Sequence, residues 1–239
     1  MAMRRDKDQF DRLWRSRIEP DNVPDCYRPG QNLRVDKALK VLSQGQRLLD
    51  IGCGDGTFLE QAKGHFEEVF GVDIAEAAIN QAIKKGVRAS ILNLNSDRLP
   101  YQDRFFDVVT LLSVFQYFYD PEEVLRECCR VLSDGGVLLM SVPNMRTFWR
   151  IGRLLFNGKF PRSSLDSIGY DGGTLHYFCY ANLVGLLSQN GFRIEWAHGI
   201  FCIPRFLSGW TDKGLLGTIK REFFSAECFI KAVKCFLES

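Results

Sequence analysis

The sequence lacks the features that mark a membrane-spanning or secreted chain. It contains no uninterrupted run of about 18 apolar residues, the length that a membrane-spanning helix requires. Its most apolar stretch, Phe105 to Tyr119, is broken by Asp107, Thr110, Ser113 and Gln116. No apolar segment follows the basic N-terminus, so we predict neither a membrane-spanning helix nor a secretory signal.

Paired cysteines are also missing. The eight cysteines of the 239-residue chain include no C-x-x-C pair. We therefore predict no zinc site and no other metal site. Several cysteines lie in apolar runs, which indicates buried reduced thiols and a cytoplasmic location.

The chain has little excess charge. It carries 31 Lys and Arg against 29 Asp and Glu, for a formal net charge of +2. This balance argues against nucleic acid as a partner. Two segments, Met1–Arg17 and Arg146–Arg162, are locally basic. The oligomeric state does not follow from the composition.

What the sequence does contain is typical of a globular protein, with 46% hydrophobic and 25% charged residues. Residues 1–30 are polar, hold an amphipathic piece from Phe10 to Ile18 and end in three prolines, so we predict an N-terminal arm. Residues 31–239 form the predicted domain. Residues 144–180, rich in glycine and aromatic residues, interrupt its rhythm and are predicted to form a lid inserted after the fifth strand.

Short apolar runs alternate with helical patterns from residue 36 onward. The predicted strands are Arg47–Ile51, Glu68–Val72, Val87–Leu92, Phe105–Leu112, Val137–Val142, Phe192–His198 and Glu227–Lys234. The predicted helices are Asp36–Leu42, Thr57–Phe66, Ala75–Lys85, one that begins at Asp120-Pro121, and Asn182–Asn190. The alternation predicts an α/β fold with a doubly wound, mostly parallel sheet, in which the last strand could be antiparallel.

A glycine-rich turn follows the first strand. Gly52, Gly54 and Gly56 permit a tight turn and let backbone N–H groups approach a ligand. Asp73 closes the second strand, and in a doubly wound sheet it lies beside this turn. Because a carboxylate can accept hydrogen bonds from both hydroxyls of a ribose, we predict a nucleoside ligand.

These pieces resemble the class I S-adenosylmethionine-dependent methyltransferases over roughly residues 30–198. The matching segments are Leu-Asp-Ile-Gly-Cys-Gly-Asp-Gly (49–56), Gly-Val-Asp-Ile-Ala (71–75), Leu-Pro-Tyr with Phe-Phe-Asp-Val-Val (99–101 and 105–109) and Arg-Val-Leu-Ser-Asp-Gly-Gly-Val-Leu-Leu (130–139). The resemblance implies a Rossmann-like sheet of seven strands with the last antiparallel. It also implies S-adenosyl-L-methionine as cofactor and methyl transfer as the reaction.

The resemblance also assigns roles to individual residues. Gly52 and Gly54 would cradle the methionine part of the cofactor, Asp50 would serve its ammonium group, and Asp73 would hold the ribose. An asparagine, Asn93 or Asn95, would accept from the adenine amino group. The predicted cofactor-binding residues are Asp50, Gly52, Cys53, Gly54, Asp73, Ile74, Asn93, Leu94, Asn95, Ser113, Val114 and Phe115. Cys53 could equally be a small buried filler.

A shorter resemblance concerns the acceptor. The segments Ser-Val-Pro-Asn (141–144), Trp-Arg-x-x-x-Leu-Leu-Phe (149–156), Lys-Phe-Pro (159–161) and Leu-His-Tyr-Phe (175–178) resemble MetW-type methyltransferases and their relatives in glycan and lipid-precursor pathways. This implies a small-molecule acceptor or one linked to a lipid or sugar. Residues 148–156, with Arg150 and Arg153, could touch a membrane surface or an acidic substrate, or could simply be a lid helix packed on the core.

A general base would come from the lid or from the end of the fourth strand. We predict His176 first, then Tyr117 and Tyr177, with Tyr170 as a further candidate; His176 could instead brace the lid by hydrogen bonding. Many relatives carry Glu-His where this chain has Gln116-Tyr117. That departure suits a reaction that depends weakly on a base, or a protein without efficient turnover.

Two rival functions stay open. One is a cofactor-binding partner subunit without catalysis of its own. The other is an NAD-dependent oxidoreductase, against which the G-x-G-x-G spacing argues because dinucleotide sites favour G-x-G-x-x-G. Trp14 and Tyr27 could close over the cofactor or only anchor the arm.

Overall fold

The computed structural model of the chain describes residues 2–18, 33–42, 44–158, 173–201 and 214–235. The strands are β1 (Gly45–Ile51), β2 (Phe66–Asp73), β3 (Arg88–Ile91), β4 (Phe106–Leu112), β5 (Leu132–Pro143), β6 (Phe192–Phe201) and β7 (Ser225–Lys234). The helices are α1 (Ala2–Ile18), α2 (Leu33–Val41), α3 (Thr57–Ala62), α4 (Glu76–Lys84), α5 (Pro121–Val131), α6 (Phe148–Asn157), α7 (Tyr180–Gln189) and α8 (Gly214–Phe224).

All seven strands belong to one sheet with the order β3-β2-β1-β4-β5-β7-β6. Strands β1 to β5 pair in parallel, whereas β7 runs antiparallel to both of its neighbours. This confirms the predicted doubly wound sheet and its antiparallel last strand. The strand order reverses between β1 and β4, so ligands are expected at the carboxyl ends of these strands.

The central strands are buried on both faces because consecutive side chains point to opposite sides of a sheet. In β1, Leu48 packs into one apolar cluster and Leu49 into the other, and neither is exposed. Val108 and Val109 of β4 divide in the same way. This two-sided burial explains the continuous apolar runs of these strands.

Two element boundaries differ from the predictions. The helix predicted for Thr57–Phe66 ends at Ala62, because His65 N donates to Ala62 O in a turn and Phe66 begins β2, where it is buried. Strand β5 begins at Leu132, five residues before the predicted Val137. Leu132 pairs with Phe106 before an irregularity in the register, which hides this first part from a pattern of alternation.

The helix starts follow from local chemistry. The Asp120 carboxylate accepts a hydrogen bond from Glu123 N at 3.0 Å, and Pro121 occupies the first position of α5, as predicted. The amphipathic piece of the arm lies in α1, and α6 lies in the segment predicted as a lid. Tyr27 and Tyr170 lie outside the described residues. Among the helices that the structure describes, none is long and apolar enough to cross a membrane.

Candidate active site

A cavity of about 680 Å³ opens at the carboxyl ends of β1, β2 and β4. This volume is within the range of ligand sites for small molecules and cofactors. Most of its wall comes from the loops that follow the parallel strands. The rest comes from α1, α2, α6 and the first residues of β7. The cavity therefore lies at the reversal of strand order, where the fold predicts a ligand.

The glycine turn after β1 needs glycine for two reasons. Gly52 and Gly54 have φ of 75° and 53°, in the left-handed region. A Cβ atom on Gly52 would lie 2.5 Å from Val114 Cγ2, and one on Gly54 would lie 2.4 Å from Trp14 Cζ2. Both positions therefore combine a positive φ with a close approach to a residue of the cavity wall.

The backbone amides of this turn are used within the protein. Gly52 N and Cys53 N both donate to Val72 O, at 2.8 and 3.1 Å. Gly54 N donates to Asp73 Oδ2 at 2.9 Å. The predicted approach of these N–H groups to a ligand is therefore not what the structure shows. A turn whose amides are already bonded makes a poor site for the anionic pyrophosphate of a dinucleotide.

Two acidic residues flank the turn. Asp50 is 2% exposed, and Thr110 Oγ1 donates to its Oδ1 at 2.6 Å. Burial raises the pKa of Asp50 to about 7; the Thr110 hydrogen bond opposes this shift and the nearby Asp73 charge adds to it. Burial likewise raises the pKa of Asp73, against hydrogen bonds from Ala75 N and Gly54 N. A cationic ligand would stabilise both carboxylates.

The loops after β2 and β3 form an apolar wall. Ile74, Leu92 and Leu94 line it, next to the two asparagines predicted to contact adenine. Asn93 Oδ1 accepts from Asn95 N at 3.1 Å, and Asn95 Oδ1 accepts from Tyr119 N at 2.8 Å. Each amide oxygen thus already accepts one hydrogen bond and would bind an adenine amino group with its second lone pair.

Of the three cofactor contacts predicted in the loop after β4, two line the cavity and one does not. Ser113 has φ of 61°, and both Ser113 and Val114 line the cavity. The predicted contact at Phe115 is wrong, because its ring is fully buried and packs 5.3 Å from the Phe178 ring. Gln116 faces the cavity instead. Its Nε2 donates to Ser113 O, while its buried Oε1 has no hydrogen-bond partner among the described residues.

The predicted bases are placed differently from one another. Tyr117 lines the cavity, where its ring meets Phe10 edge-on at 5.3 Å. His176 and Tyr177 do not line it. His176 Nε2 lies 3.3 Å from Tyr119 O, and its backbone N donates to Gln116 O. The geometry thus corrects the first choice of base: His176 braces the loop after β4.

The second half of the cavity contains an ion pair that the sequence analysis missed. Arg34 of α2 donates through Nε to Glu227 Oε2 at 2.9 Å, in the region that Arg150 of α6, already a candidate from the sequence, also lines. Burial alone would raise the pKa of Glu227, but Arg34 outweighs it and holds the pKa below its usual value. These residues come from distant segments, so no local motif could have indicated them.

Helix α1 lies over the first half of the cavity. Trp14 lines the cavity above Gly54, which supports closure over a ligand for this residue. Asp11 Oδ1 accepts from Ala77 N at 2.7 Å and so ties α1 to the start of α4. Anchoring, one of the two alternatives left open by the sequence, is thus observed for α1, and closure over the cofactor stays a prediction.

Comparison with known proteins identifies the domain. Residues 49–140 match the family model described as a methyltransferase domain. The chain carries a class I S-adenosylmethionine-dependent methyltransferase domain. A relative from Mycolicibacterium smegmatis, named as a probable S-adenosylmethionine-dependent methyltransferase, is 31% identical over 157 residues. That alignment covers 66% of this chain and 56% of the relative, so the chain spans little more than half of that protein.

Other relatives of this methyltransferase domain differ in what they are named for. A ubiquinone biosynthesis O-methyltransferase of Alkalilimnicola ehrlichii is 30% identical over 119 residues, which cover 47% of this chain and 48% of that protein. A Haloferax volcanii chain, solved in complex with the methyltransferase activator Trm112, superposes with a TM-score of 0.67 at 18% identity. This match covers 98% of this chain and 99% of that one, and it shows the shared fold.

The described residues fit the cofactor of this family. S-adenosylmethionine carries a positive sulfonium and an ammonium group, and the turn presents the buried acids Asp50 and Asp73 rather than unpaired amides. The apolar wall at Ile74 and Leu94 suits an adenine ring. Eleven of the twelve predicted contact residues line the cavity, Phe115 being the exception.

Proposed function

We propose that this protein transfers a methyl group from S-adenosylmethionine to a small-molecule acceptor, or to one linked to a lipid or sugar. The observation that carries the proposal is the pairing of Asp50 and Asp73 beside a turn whose amides are bonded internally. When bound, the cofactor supplies an electrophilic methyl group. A lipid-linked acceptor would reach the protein at a membrane surface, so peripheral membrane contact belongs to the proposal.

In this proposal the chain mainly binds, orients and excludes water. Asp73 holds the ribose and Asp50 the ammonium group. Trp14 covers the first half of the cavity, and the Arg34–Glu227 pair lines the half that receives the acceptor. Because His176 does not line the cavity, the base in this proposal is Tyr117 or Glu227, which line it and could accept a proton from an acceptor.

The Asp73→Ala variant tests the cofactor site. We expect binding of S-adenosylhomocysteine, measured by calorimetry, to weaken by about 1.5–3 kcal/mol through loss of charge-assisted hydrogen bonds. Glu76→Ala, an exposed acid three residues away, is the control and should bind normally. Unchanged affinity in Asp73→Ala, or tighter binding of NAD than of S-adenosylhomocysteine by the wild type, would refute the assignment.

One alternative has a specific observation in its favour. Gln116-Tyr117 replaces the Glu-His pair of many relatives, which suits a cofactor-binding partner subunit without catalysis. The two functions separate when radiolabelled S-adenosylmethionine is incubated with the protein and with polar and lipid extracts. Label transfer by the isolated protein supports methyl transfer. Cofactor binding without any transfer, together with a stable hetero-complex, supports the partner subunit. The MetW-type branch and the cytoplasmic location stay predictions.

A further inference from the structure

Helix α6 buries none of its residues, whereas α3, α4, α5 and α7 each bury at least three. Its apolar side chains are unusually exposed: Phe148 by 54%, Leu154 by 41%, Leu155 by 72% and Phe156 by 87%. A surface helix of a globular protein normally turns its apolar stripe toward the core. The alternative considered from the sequence, a lid helix packed by its aromatics, applies to its start, where the Phe148 ring lies 5.2 Å from the Phe224 ring of α8, but not to Leu155 and Phe156.

Helix α6 also directs a residue of its polar side, rather than its apolar side, toward the protein. Its polar side chains Arg150, Arg153 and Asn157 cluster within about 60° of the helix circumference at 100° per residue. Arg150 belongs to this polar side and faces inward, where its Nη1 donates to Asn144 O at 2.6 Å and to Ala226 O at 3.0 Å. With Arg150 anchored inward, Leu155 and Phe156, which lie about 140° and about 120° from it around the helix, form the outer surface.

The charged residues of α6 and of the loop before it are all positive. Between Asn144 and Gly158 the sequence has three arginines and no acidic residue. Arg153 is exposed, and Arg146 is about half-exposed while it pairs with Glu222 at 3.3 Å and covers the Phe223 ring. A basic rim around exposed Leu and Phe side chains is complementary to an anionic lipid surface.

The same pattern argues against a second copy of the chain. A twofold interface brings identical patches together, so pairing α6 with itself would place arginines opposite arginines without an acidic complement. It would also leave the rim charges near one another as they lose water. An anionic bilayer accepts the apolar side chains and neutralises the arginines at once.

We propose that α6 lies flat in the headgroup layer of an anionic membrane, with Leu155 and Phe156 inserted at the acyl boundary. Because Arg150 lines the cavity, this docking would hold the cavity mouth against the bilayer. An amphiphilic acceptor could then enter with its polar end while its tail stays in the lipid. The docking itself does not depend on methyl transfer, so the two proposals can fail separately.

Vesicle flotation tests the docking. The full chain is mixed with vesicles of phosphatidylcholine alone, or of phosphatidylcholine and phosphatidylglycerol in equal amounts. We expect binding to the anionic vesicles that weakens with added salt. The double variant Leu155→Ser/Phe156→Ser should bind at least about tenfold more weakly, and Arg153→Glu at least about fivefold. The control Ile83→Ser, which removes a 52% exposed apolar residue from α4, should bind like the wild type.

Calorimetry with S-adenosylhomocysteine shows whether each variant is folded and keeps the cofactor site, which lies apart from these side chains. Equal vesicle binding by the double variant and the wild type overturns the proposal, as does absence of binding to anionic vesicles. A wild type that sediments as a dimer, becomes monomeric in the double variant and ignores vesicles assigns the surface to a second copy. That result also overturns membrane docking.

Discussion

The two halves of the cavity are built in different ways. The half beside the glycine turn consists mainly of residues that directly follow parallel strands, with α1 lying over it. Two of its acids, Asp50 and Asp73, form no ion pair among the described residues, and burial raises the pKa of both. The other half draws on α2, α6 and β7, and its carboxylate Glu227 is paired with Arg34 beside Arg150. Acids without a basic partner call for a cationic ligand, whereas a carboxylate that already pairs with an arginine does not.

The difference follows from topology. Parallel strands end at one edge of the sheet, so the loops after β1, β2 and β4 converge whatever the loops contain. Glu227 reaches the same edge only because β7 runs antiparallel beside β5, where it stands opposite Pro143. The first half is therefore an inherent property of the fold, and the second half is where this chain can differ from its relatives.

The largest effect should come from closing the first half. Gly52→Ala places a Cβ atom 2.5 Å from Val114 and holds a non-glycine residue at φ of 75°. We expect a loss of about 1–3 kcal/mol in the free energy of unfolding from strain. We also expect at least about 100-fold weaker binding of S-adenosylhomocysteine, since Val114 must move into the cavity. Chemical denaturation and calorimetry measure the two effects.

Gly64→Ala is the matched control for this change. Gly64 lies in the turn after α3, has no atom within 4 Å of the added Cβ, and does not have a positive φ. Its substitution should leave cofactor affinity within about twofold of the wild type. Normal cofactor affinity in Gly52→Ala would show that the turn can relax. It would then not be true that the fold alone determines the first half of the cavity.

A substitution in the second half should have the complementary effect. Glu227→Gln keeps the shape of the side chain but leaves the Arg34 guanidinium without its carboxylate partner. We expect the KM for the acceptor to change by about tenfold, as for a lost charge-assisted hydrogen bond, while affinity for S-adenosylhomocysteine stays unchanged. The control is Glu195→Gln on β6, which loses the ion pair of Glu195 with Lys231 of β7. A change in cofactor affinity instead would place Glu227 in the first half.

The same contrast explains how far the sequence could lead. The strands, their antiparallel last member and most of the cofactor-side residues follow from local patterns, because each functional residue stands next to the strand that positions it. The prediction for Phe115 fails because a short 3-10 helix begins at this residue and directs its ring into the core, while Ser113, Val114 and Gln116 line the cavity. His176 was chosen for its chemistry, and no sequence pattern shows that its ring points at Tyr119 O.

The acceptor half could not have been predicted residue by residue. Arg34 and Glu227 are 193 positions apart, and their contact depends on the pairing of β7 with both β5 and β6. The outward apolar face of α6 is likewise invisible in the sequence, since a helical periodicity gives the width of the apolar side but not the direction in which it points.

The smallest effect we predict is a pH dependence that belongs to the first half. With a pKa of about 7 in the folded protein, Asp50 is partly protonated at neutral pH, and a cationic ligand favours its ionised form. Affinity for S-adenosylhomocysteine should therefore rise between pH 6 and pH 8, by no more than about tenfold per pH unit. Calorimetry in buffers of different ionisation enthalpy should detect proton release on binding. Asp50→Asn should bind with a flat profile.

Stability should change in the opposite direction. A folded-state pKa raised from the ordinary 3.8 to about 7 means that burial of Asp50 costs nothing at low pH, where the carboxyl is protonated in both states. The cost grows as pH rises from about 4 through 7, so Asp50→Asn should be more stable relative to the wild type at pH 8 than at pH 5. A wild type that binds more tightly with rising pH while its ligand-free form loses stability would tie both effects to one carboxyl group. Parallel profiles in the wild type and Asp50→Asn would show that another group titrates, and the contrast between unbalanced and paired charges would then not rest on Asp50.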